Sequence, residues 1–335
     1  MYVFIKNSNK LLQKEISMIQ RALGKTGISV SEIAFGGVEI GMPYGIGVDS
    51  DKNMISQSEA IKLLHAALEN GISFYDTARL YGTSELIIGE AFKEKRNKVI
   101  LSTKCRHIRN EDRRIPDYEN LKNIIISSLQ ESLEFLQTDY VDVFMLHYGD
   151  EEILDNTDIG EIFTDLKTAG IIRASGVSVY TPGETKKAIN AGCWDVIQLP
   201  FNLMDQRQSS LFSLAKEKGI GIVVRSVLLK GLLSDRGKIL HPALKSVEEH
   251  LSKYNRLFSS SLNDLPTTAT KFALSFKEVS SVLVGIDKME YLHKSLHAAD
   301  GTYFDEATLQ TSKRLAYPEP DFLNLHDWDV KGWLK

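Results

Sequence analysis

The chain has 335 residues, of which 43% are apolar and 25% are charged, and these proportions are typical of a water-soluble globular protein with a sizeable core. The formal net charge of −4 provides no basic surface, so neither nucleic acid nor an anionic membrane is expected as a partner. Two cysteines, Cys105 and Cys193, are too few for a disulfide framework and indicate a reducing compartment, so we expect a cytoplasmic protein.

Residues 1–17 come before the first element that the pattern predicts. Their apolar run, Tyr2–Ile5, is too short for a signal peptide and follows no basic segment. No stretch of the chain is apolar over the length needed to cross a bilayer. We expect residues 1–17 to be an N-terminal extension, either a poorly ordered tail or an upstream addition, and residues 18–335 to form a single domain.

Residues Arg21–Ser31 predict a β-hairpin, because two short strand-like runs flank a Gly-Lys-Thr-Gly turn. After the hairpin, apolar runs of strand length alternate with segments of helical periodicity such as Ala60–Leu68, Leu121–Leu136 and Ser210–Ala215. The eight strands predicted after the hairpin are Ile33–Gly37, Ile72–Asp76, Val99–Lys104, Val141–His147, Ile172–Ser178, Asp195–Leu199, Gly221–Ser226 and Ser281–Gly285.

This repeated alternation of strands and helices predicts a parallel sheet that closes on itself. A doubly wound open sheet is the competing architecture, but it would carry a G-x-G-x-x-G turn after its first strand. The nearest match, Gly41–Gly47, has a different spacing and opens no helix, so we interpret it as a mobile loop over the mouth. The predicted fold is an α/β, (β/α)8 TIM barrel with an N-terminal β-hairpin and an extended C-terminal tail. The aromatic tail, Ala316–Lys335, either lines a substrate pocket or packs across the barrel.

In such a barrel the active site lies at the C-terminal ends of the strands. Four residues, Asp76, Tyr81, Lys104 and His147, lie at or shortly after predicted strand ends and would converge on one mouth. Taken singly, each has an ordinary structural explanation, namely a turn cap, a loop tyrosine, a solvated lysine and a core histidine. No H-E-x-x-H or C-x-x-C pattern accompanies them, so no metal site is expected.

Five segments resemble, in order, the motifs of the aldo-keto reductase family. They are GISFYDTARLYGTSELIIGEAF (Gly71–Phe92), LSTK (Leu101–Lys104), DVFMLH (Asp142–His147), RASGVSVY (Arg173–Tyr180) and VIQLPFNLMD (Val196–Asp205). The resemblance covers Arg21–Ala299. It implies an oxidoreductase that transfers a hydride between a nicotinamide cofactor and a small aldehyde, ketone or sugar. It also implies that Tyr81 is the general acid/base and that Asp76, Lys104 and His147 complete a catalytic tetrad.

The chemistry of carbonyl reduction requires these residue types. Hydride addition at carbon develops negative charge on the carbonyl oxygen, which must be protonated or stabilised. A tyrosine hydroxyl can donate the proton, although its ordinary pKa of about 10 makes it a weak acid near neutrality. A nearby ammonium such as Lys104 is expected to lower that pKa, with Asp76 keeping the lysine charged. His147 would then donate a hydrogen bond to the carbonyl oxygen.

The resemblance also implies a set of cofactor contacts along the strand ends. These are Gly37, Val38, Asp76, Ser178, Gln198, Arg225, Ser226, Leu228, Gly231, Gly285, Asp287 and Lys288. Two positions depart from the family pattern. Val179 stands where an asparagine is expected to hold the nicotinamide amide, and Arg225 stands where many members stack an aromatic ring. A guanidinium plane can also stack on a ring.

The segment after the last strand leaves the cofactor choice open. NADP(H) is the usual cofactor of the family and is slightly favoured, because Lys288 and Lys294 could meet a 2′-phosphate. Asp287 would instead suit the 2′-hydroxyl of NAD(H), and Tyr291 stands at the family's usual arginine position.

The sequence is compatible with three functions. The leading hypothesis is carbonyl reduction, while the same barrel could oxidise aldose sugars, or could sense cofactor as a regulatory subunit resembling potassium-channel β subunits.

The substrate is open, because no recognisable motif occurs in the loops Gly37–Ser58 and Arg106–Asn120 or in the tail. The arginines of Arg109–Asp117 either are solvated or meet an anionic group of the substrate. The oligomeric state is also open.

Overall fold

The computed structural model describes residues 18–48, 50–258 and 264–334, so the expectation for residues 1–17 lies outside the described residues. Each of the eight predicted barrel strands is present, with bounds within two residues of those expected. The strands are β1 Gln20–Ala22, β2 Ser29–Ser31, β3 Ile33–Gly36, β4 Phe74–Asp76, β5 Ile100–Lys104, β6 Val141–Leu146, β7 Ile172–Ser178, β8 Val196–Pro200, β9 Gly221–Arg225 and β10 Val279–Gly285.

The barrel is closed and parallel. Strands β3 to β10 pair in chain order, and β10 pairs with both β9 and β3, for example Gly285 with Gly36. Almost every strand residue is buried, as parallel strands covered on both faces require. The (β/α)8 fold predicted from the alternation of apolar runs is therefore confirmed, and the doubly wound alternative is excluded.

Helices follow the strands and form the outer layer. They are α1 Val38–Gly41, α2 Gln57–Glu69, α3 Ser84–Phe92, α4 Tyr118–Leu136, α5 Glu151–Asp155, α6 Thr157–Thr168, α7 Pro182–Ala191, α8 Phe212–Lys218, α9 Lys245–Phe258, α10 Leu265–Leu274, α11 Met289–Ala298, α12 Glu306–Lys313 and α13 Leu325–Val330. Of the three helical segments predicted above, that at Ser210 was placed too early, because residues 207–211 form a 3-10 turn before α8. Among the described residues, no helix is long and apolar enough to cross a membrane.

Local signals set the helix ends. Helices α2 and α7 begin with capping boxes, in which Ser56 and Thr181 each accept a hydrogen bond from the backbone of the glutamate three residues later. Helices α7 and α8 end at Gly192 and Gly219, whose left-handed backbone favours glycine. These short-range devices orient each helix before it packs on the barrel.

The predicted hairpin closes the amino-terminal end of the barrel. Strands β1 and β2 are antiparallel, and Leu23, Ile28 and Val30 join the cluster of apolar side chains that contains the barrel interior. The backbone N–H of Lys25 donates to the carbonyl of Gly219 at 2.8 Å, beside the start of β9. Because this end is plugged, the site must be sought at the opposite mouth.

The aromatic tail packs on the outside of the barrel. The Tyr317 ring lies 5.1 Å from that of His250 on α9, and the Tyr317 N–H donates to the Met204 carbonyl in the loop after β8. Trp328 on α13 is buried, and Trp333 stacks on His241. The contacts described are thus with α9 and its neighbours, the second of the two expected arrangements.

Aromatic packing attaches α10 to the loop after β8, since Phe272 stacks on Phe201 at 5.3 Å and meets the edge of Phe276. Phe272 is fully buried. We expect Phe272→Ala to lower the free energy of unfolding by about 3–5 kcal/mol in urea titrations, because a large apolar group is lost and a cavity remains. Leu257→Ala, at a more exposed position on α9, should cost under about 1 kcal/mol. Equal losses in the two variants would contradict this packing.

Candidate active site

The carboxyl ends of the barrel strands bring polar side chains to one mouth. Asp76 is the last residue of β4, Lys104 the last of β5, and His147 directly follows β6. Ser178 ends β7 and Arg225 ends β9. Parallel strands end at the same edge, so five side chains from distant parts of the chain face one another.

A buried ion pair lies at the centre of this mouth. Lys104 Nζ contacts Asp76 Oδ2, and their side chains are only 1% and 4% exposed. Lys104 also donates to the Thr77 carbonyl at 2.9 Å, while Asp76 Oδ1 accepts from Ser102 Oγ at 3.1 Å and from Gln198 Nε2 at 2.9 Å. Burial lowers the pKa of Lys104, and the charge of Asp76 opposes that shift. These extra hydrogen bonds are what a buried pair needs to offset its desolvation.

Tyr81 and His147 lie directly above this pair. Lys104 Nζ is 4.8 Å from the centre of the Tyr81 ring, and the rings of Tyr81 and His147 meet edge to face with centroids 5.6 Å apart. The four residues singled out in the sequence therefore form one contiguous group. His147 Nδ1 is buried and has no hydrogen-bond partner among the described residues.

The pKa of Tyr81 differs from the sequence-based expectation. Burial raises the pKa of Tyr81 well above its usual value, and the charge of Asp76 raises it further. The positive charge of Arg225 opposes this shift without reversing it. Tyr81 is therefore a protonated phenol at neutral pH, the form that can donate a proton.

His147 is held as a neutral imidazole. Burial lowers the pKa of His147 to about 3, helped by the positive charge of Lys104 and by the neighbouring His107. A neutral imidazole can donate one hydrogen bond and accept another. Together with the Tyr81 hydroxyl, it can provide two donors to a single oxygen atom.

The wall formed by β7, β8 and β9 carries Ser178, Gln198 and Arg225. Arg225 donates to Ser178 Oγ at 3.3 Å and to the carbonyl of Val179, the position where the family pattern has an asparagine, at 3.0 Å. Its guanidinium lies 4.1 Å from the centre of the Tyr180 ring. These acceptors are neutral oxygens, so they leave the positive charge of Arg225 uncompensated.

The loop after β9 has an unusual backbone. Ser226, Leu229, Lys230 and Gly231 all have positive φ, between 47° and 97°. Such angles are costly for side chains other than glycine, and clusters of them are typical of functional sites. The sequence-predicted residue Leu228 lies within this loop, which therefore exposes a distorted backbone at the mouth.

Glycines let the ends of β3 and β10 approach other groups closely. A Cβ at Gly37 would lie 2.7 Å from Ser84 Oγ and 2.8 Å from the Asp76 carbonyl, and a Cβ at Gly285 would overlap the carboxyl of Glu39. Val38 begins α1 beside this position. Asp287 is half-buried, and its negative charge acts on the Glu39 carboxyl.

The two lysines near α11 differ in how far neighbouring carboxylates already neutralise their charge. Lys288 is exposed and lies over the Tyr291 ring at 5.6 Å. Lys294 contacts Glu290 at 2.9 Å and Asp264 at 3.7 Å, so carboxylates already partly neutralise it.

Three aromatic residues at the mouth were not identified from the sequence. Tyr180 lies under Arg225, the ring of His107 is 5.4 Å from that of His147, and the Tyr44 ring lies 5.2 Å from Lys230 Nζ. Tyr180 and His107 come two and three residues after strand ends, and that spacing could have pointed to them.

The loop Gly41–Gly47 reaches across the mouth. Gly41 ends the short helix α1, and the Ile46 N–H donates to the Lys230 carbonyl at 3.0 Å. The loop therefore lies over the mouth as expected, where it contacts the loop after β9.

Arg109 does not reach into the mouth as a free cation. It binds Asp150 at 2.7 Å and Glu152 at 2.8 Å, so its charge is compensated within the protein. Among residues 18–48, 50–258 and 264–334, no group of three or more histidine, cysteine or acidic side chains could hold a metal ion.

Comparison with known proteins identifies the family. The model of the aldo/keto reductase family matches residues 32–329, which is most of the chain. This chain belongs to the aldo/keto reductase family, oxidoreductases that act on carbonyl compounds.

Individual relatives cover nearly the whole barrel. The chain is 30% identical to the uncharacterized oxidoreductase YqkF of Bacillus subtilis, over 88% of this chain and 95% of that one. It is 28% identical to the L-galactose dehydrogenase of Arabidopsis thaliana, over 89% and 94%. The holo form of aldo-keto reductase AKR11C1 from Bacillus halodurans matches with a TM-score of 0.72 at 28% identity, over 89% and 96%.

The buried neutral His147 makes stability depend on pH. Its pKa is depressed in the folded chain, so the stability it contributes is present above the unfolded pKa of about 6.5 and is lost as the pH falls towards 3. Between pH 7 and pH 5 this loss amounts to about 2 kcal/mol in the free energy of unfolding. We expect His147→Asn to remove it in urea titrations. His326→Asn, at an exposed position, should keep the wild-type dependence, and an unchanged dependence in His147→Asn would refute the assignment.

Proposed function

We propose that the chain is an NAD(P)(H)-dependent oxidoreductase that reduces a small aldehyde, ketone or sugar, with Tyr81 as general acid/base. The observation that carries the proposal is the buried Lys104–Asp76 pair beneath Tyr81, with His147 at the edge of the same ring. Burial keeps Tyr81 protonated and His147 neutral, and these are the forms that can donate to a carbonyl oxygen.

In this proposal each residue of the tetrad has a separate role. The Tyr81 hydroxyl donates its proton to the carbonyl oxygen as negative charge develops there, and His147 donates a hydrogen bond to the same oxygen. Lys104, held by Asp76, favours the phenolate that remains on Tyr81, and so becomes more important as the proton leaves. The phenolate then takes up a proton from solvent. When bound, the reduced nicotinamide supplies the hydride.

The mouth fits a nicotinamide dinucleotide. Ser178 and the side-chain oxygen of Gln198 would hold the carboxamide, and Arg225 with Ser226 would border the ring. The backbone of the loop at Leu228 and Gly231, where Leu229 and Lys230 have positive φ, would hold the pyrophosphate, and Gly37, Val38 and Gly285 would leave room for it. Asp287 and Lys288 would face the adenosine. These assignments follow the resemblance of the strand-end motifs to the family pattern, and the location of these residues at the same mouth supports them.

We expect Tyr81→Phe to lower kcat by a factor of about 10² to 10⁴ and to leave the Kd for the cofactor nearly unchanged. The hydroxyl is lost while the ring still packs on His147. The measurement is turnover of an aldehyde panel, followed by cofactor absorbance, together with a fluorescence titration of the cofactor.

The matched control is Tyr140→Phe, since Tyr140 precedes β6 at the other end of the barrel and lies under Arg96. It should keep the wild-type rate. A Tyr81→Phe enzyme that kept most of its rate would rule out Tyr81 as the proton donor. A wild type that binds cofactor but turns over neither aldehydes nor sugars would favour the regulatory alternative.

For the cofactor, we propose that both NADP(H) and NAD(H) are used, with NADP(H) slightly preferred. Lys288 is exposed and could meet a 2′-phosphate, while Lys294 is partly neutralised and Asp287 adds a negative charge that acts on nearby Glu39. These opposing charges predict weak discrimination.

Replacing Asp287 should shift this preference. Asp287→Ser removes a negative charge, so kcat/KM for NADPH relative to NADH should rise about five- to tenfold on one substrate. Asp139→Ser, an exposed position at the closed end of the barrel, should leave the ratio unchanged. A strict NADPH preference in wild type that Asp287→Ser does not move would show that Asp287 is remote from the ribose.

Sugar oxidation is the second candidate, and the similarity to an L-galactose dehydrogenase favours it. The same residues would serve the reverse reaction, in which Tyr81 as a phenolate would accept the proton of a hydroxyl group and the oxidised nicotinamide, when bound, would take up the hydride. Turnover of aldoses with oxidised cofactor, compared with reduction of simple aldehydes, separates the two directions.

A further inference from the structure

Glu39 is a half-buried acidic residue to which the proposed chemistry at Tyr81 assigns no role. It lies on α1, and its Oε2 atom is inaccessible and has no hydrogen-bond partner among the described residues. Its carboxyl rests against the backbone of Gly285, where a Cβ would come within 1.9 Å of Oε1. The missing side chain at Gly285 therefore makes room for this carboxyl between the ends of β3 and β10.

The groups facing Glu39 come from four different segments of the mouth. Asp287, after β10, is a like charge, and Arg236, after β9, is an opposite one. The negative charge of an ionised Glu39 would also raise the pKa of Tyr44 and that of Tyr81. Arg236 donates to the Ile46 carbonyl at 3.5 Å, so its guanidinium is partly engaged elsewhere.

A carboxylate in this position would be poorly compensated. Burial raises the pKa of Glu39 to about 8, although a hydrogen bond from its own backbone N–H opposes that shift; Asp287 adds to the shift, and Arg236 opposes it. Glu39 is consequently a neutral carboxylic acid at pH 7. A neutral acid has a hydroxyl hydrogen to donate, whereas the ionised group can only accept.

We propose that Glu39 binds the cofactor as a neutral acid, donating a hydrogen bond to an oxygen of its sugar–phosphate backbone. This inference rests on the proposed function, because it places the cofactor along Val38 and Gly285. An ionised Glu39 would repel the pyrophosphate, and a protonated one attracts it. Glu39 thus makes cofactor affinity depend on pH.

The direction of this dependence follows from linkage. The bound cofactor stabilises the protonated form, so binding above pH 8 must take up a proton that the free protein has lost. The affinity for the cofactor is at its maximum below pH 8 and declines above it. With a pKa of about 8, the Kd should rise about tenfold between pH 6 and pH 9.

The experiment is calorimetric titration of the full chain with NADH at pH 6 and pH 9, in buffers of different ionisation enthalpy. NADH is chosen because it lacks the 2′-phosphate, a group that titrates near pH 6 itself. The wild type should take up about one proton per NADH at pH 9 and almost none at pH 6. This proton count needs no variant, so it does not depend on how a substitution folds.

Two substitutions separate the charge from the hydrogen bond. Glu39→Gln keeps a donor and cannot ionise, so its Kd should vary less than about twofold between the two pH values. Glu39→Ala should also be independent of pH but bind about five- to tenfold more weakly than Glu39→Gln. Glu249→Gln, at an exposed carboxylate on α9, should keep the wild-type slope.

The possible results distinguish this inference from the proposed function. Wild-type affinity that is flat from pH 6 to pH 9, or a slope that persists in Glu39→Gln, would overturn the role of Glu39 alone. Glu39→Ala binding as tightly as Glu39→Gln would overturn the hydrogen bond. If neither NADH nor NADPH bound at pH 6 or at pH 9, the proposed function itself would be refuted.

Discussion

The buried ion pair between Lys104 and Asp76 is the constraint around which the mouth is organised. Two charges removed from water are costly unless they are paired and hydrogen-bonded. Here the neighbouring strands β4 and β5 bring the partners together, and Gln198 from the far side of the barrel completes the shell of Asp76. Contacts of this pair therefore connect strands β4, β5 and β8, and Tyr81 and His147 lie next to it.

The two ends of the barrel differ because only one is closed. The hairpin places Leu23, Ile28 and Val30 against the amino-terminal end of the interior, which excludes water there. The other end carries Arg225, whose contacts with the protein are to neutral groups, and a distorted backbone loop. The positive charge of Arg225 and a backbone with several positive φ angles therefore lie at the same end of the barrel.

Low polarity at the mouth controls protonation more strongly than nearby charges do. Burial is the largest cause of the shift for Tyr81, His147 and Glu39 alike, and in each case it favours the neutral form. For Lys104 burial likewise lowers the pKa, and the charge of Asp76 opposes that shift. A site of neutral donors above one compensated ion pair can therefore supply hydrogen bonds to an oxygen without large charge rearrangement.

The sequence by itself determined the class of fold, the order of the strands and the residues that stand at their ends, because strand length, periodicity and motif spacing are local properties. It did not identify Glu39, Tyr44, His107 or Tyr180, since their significance lies in contacts with residues far along the chain. It also predicted a lowered pKa for Tyr81, where the folded chain has a raised one. Only the tertiary structure decided that direction, and the partial neutralisation of Lys294 by Asp264, because burial and charge compensation depend on distances that folding alone creates.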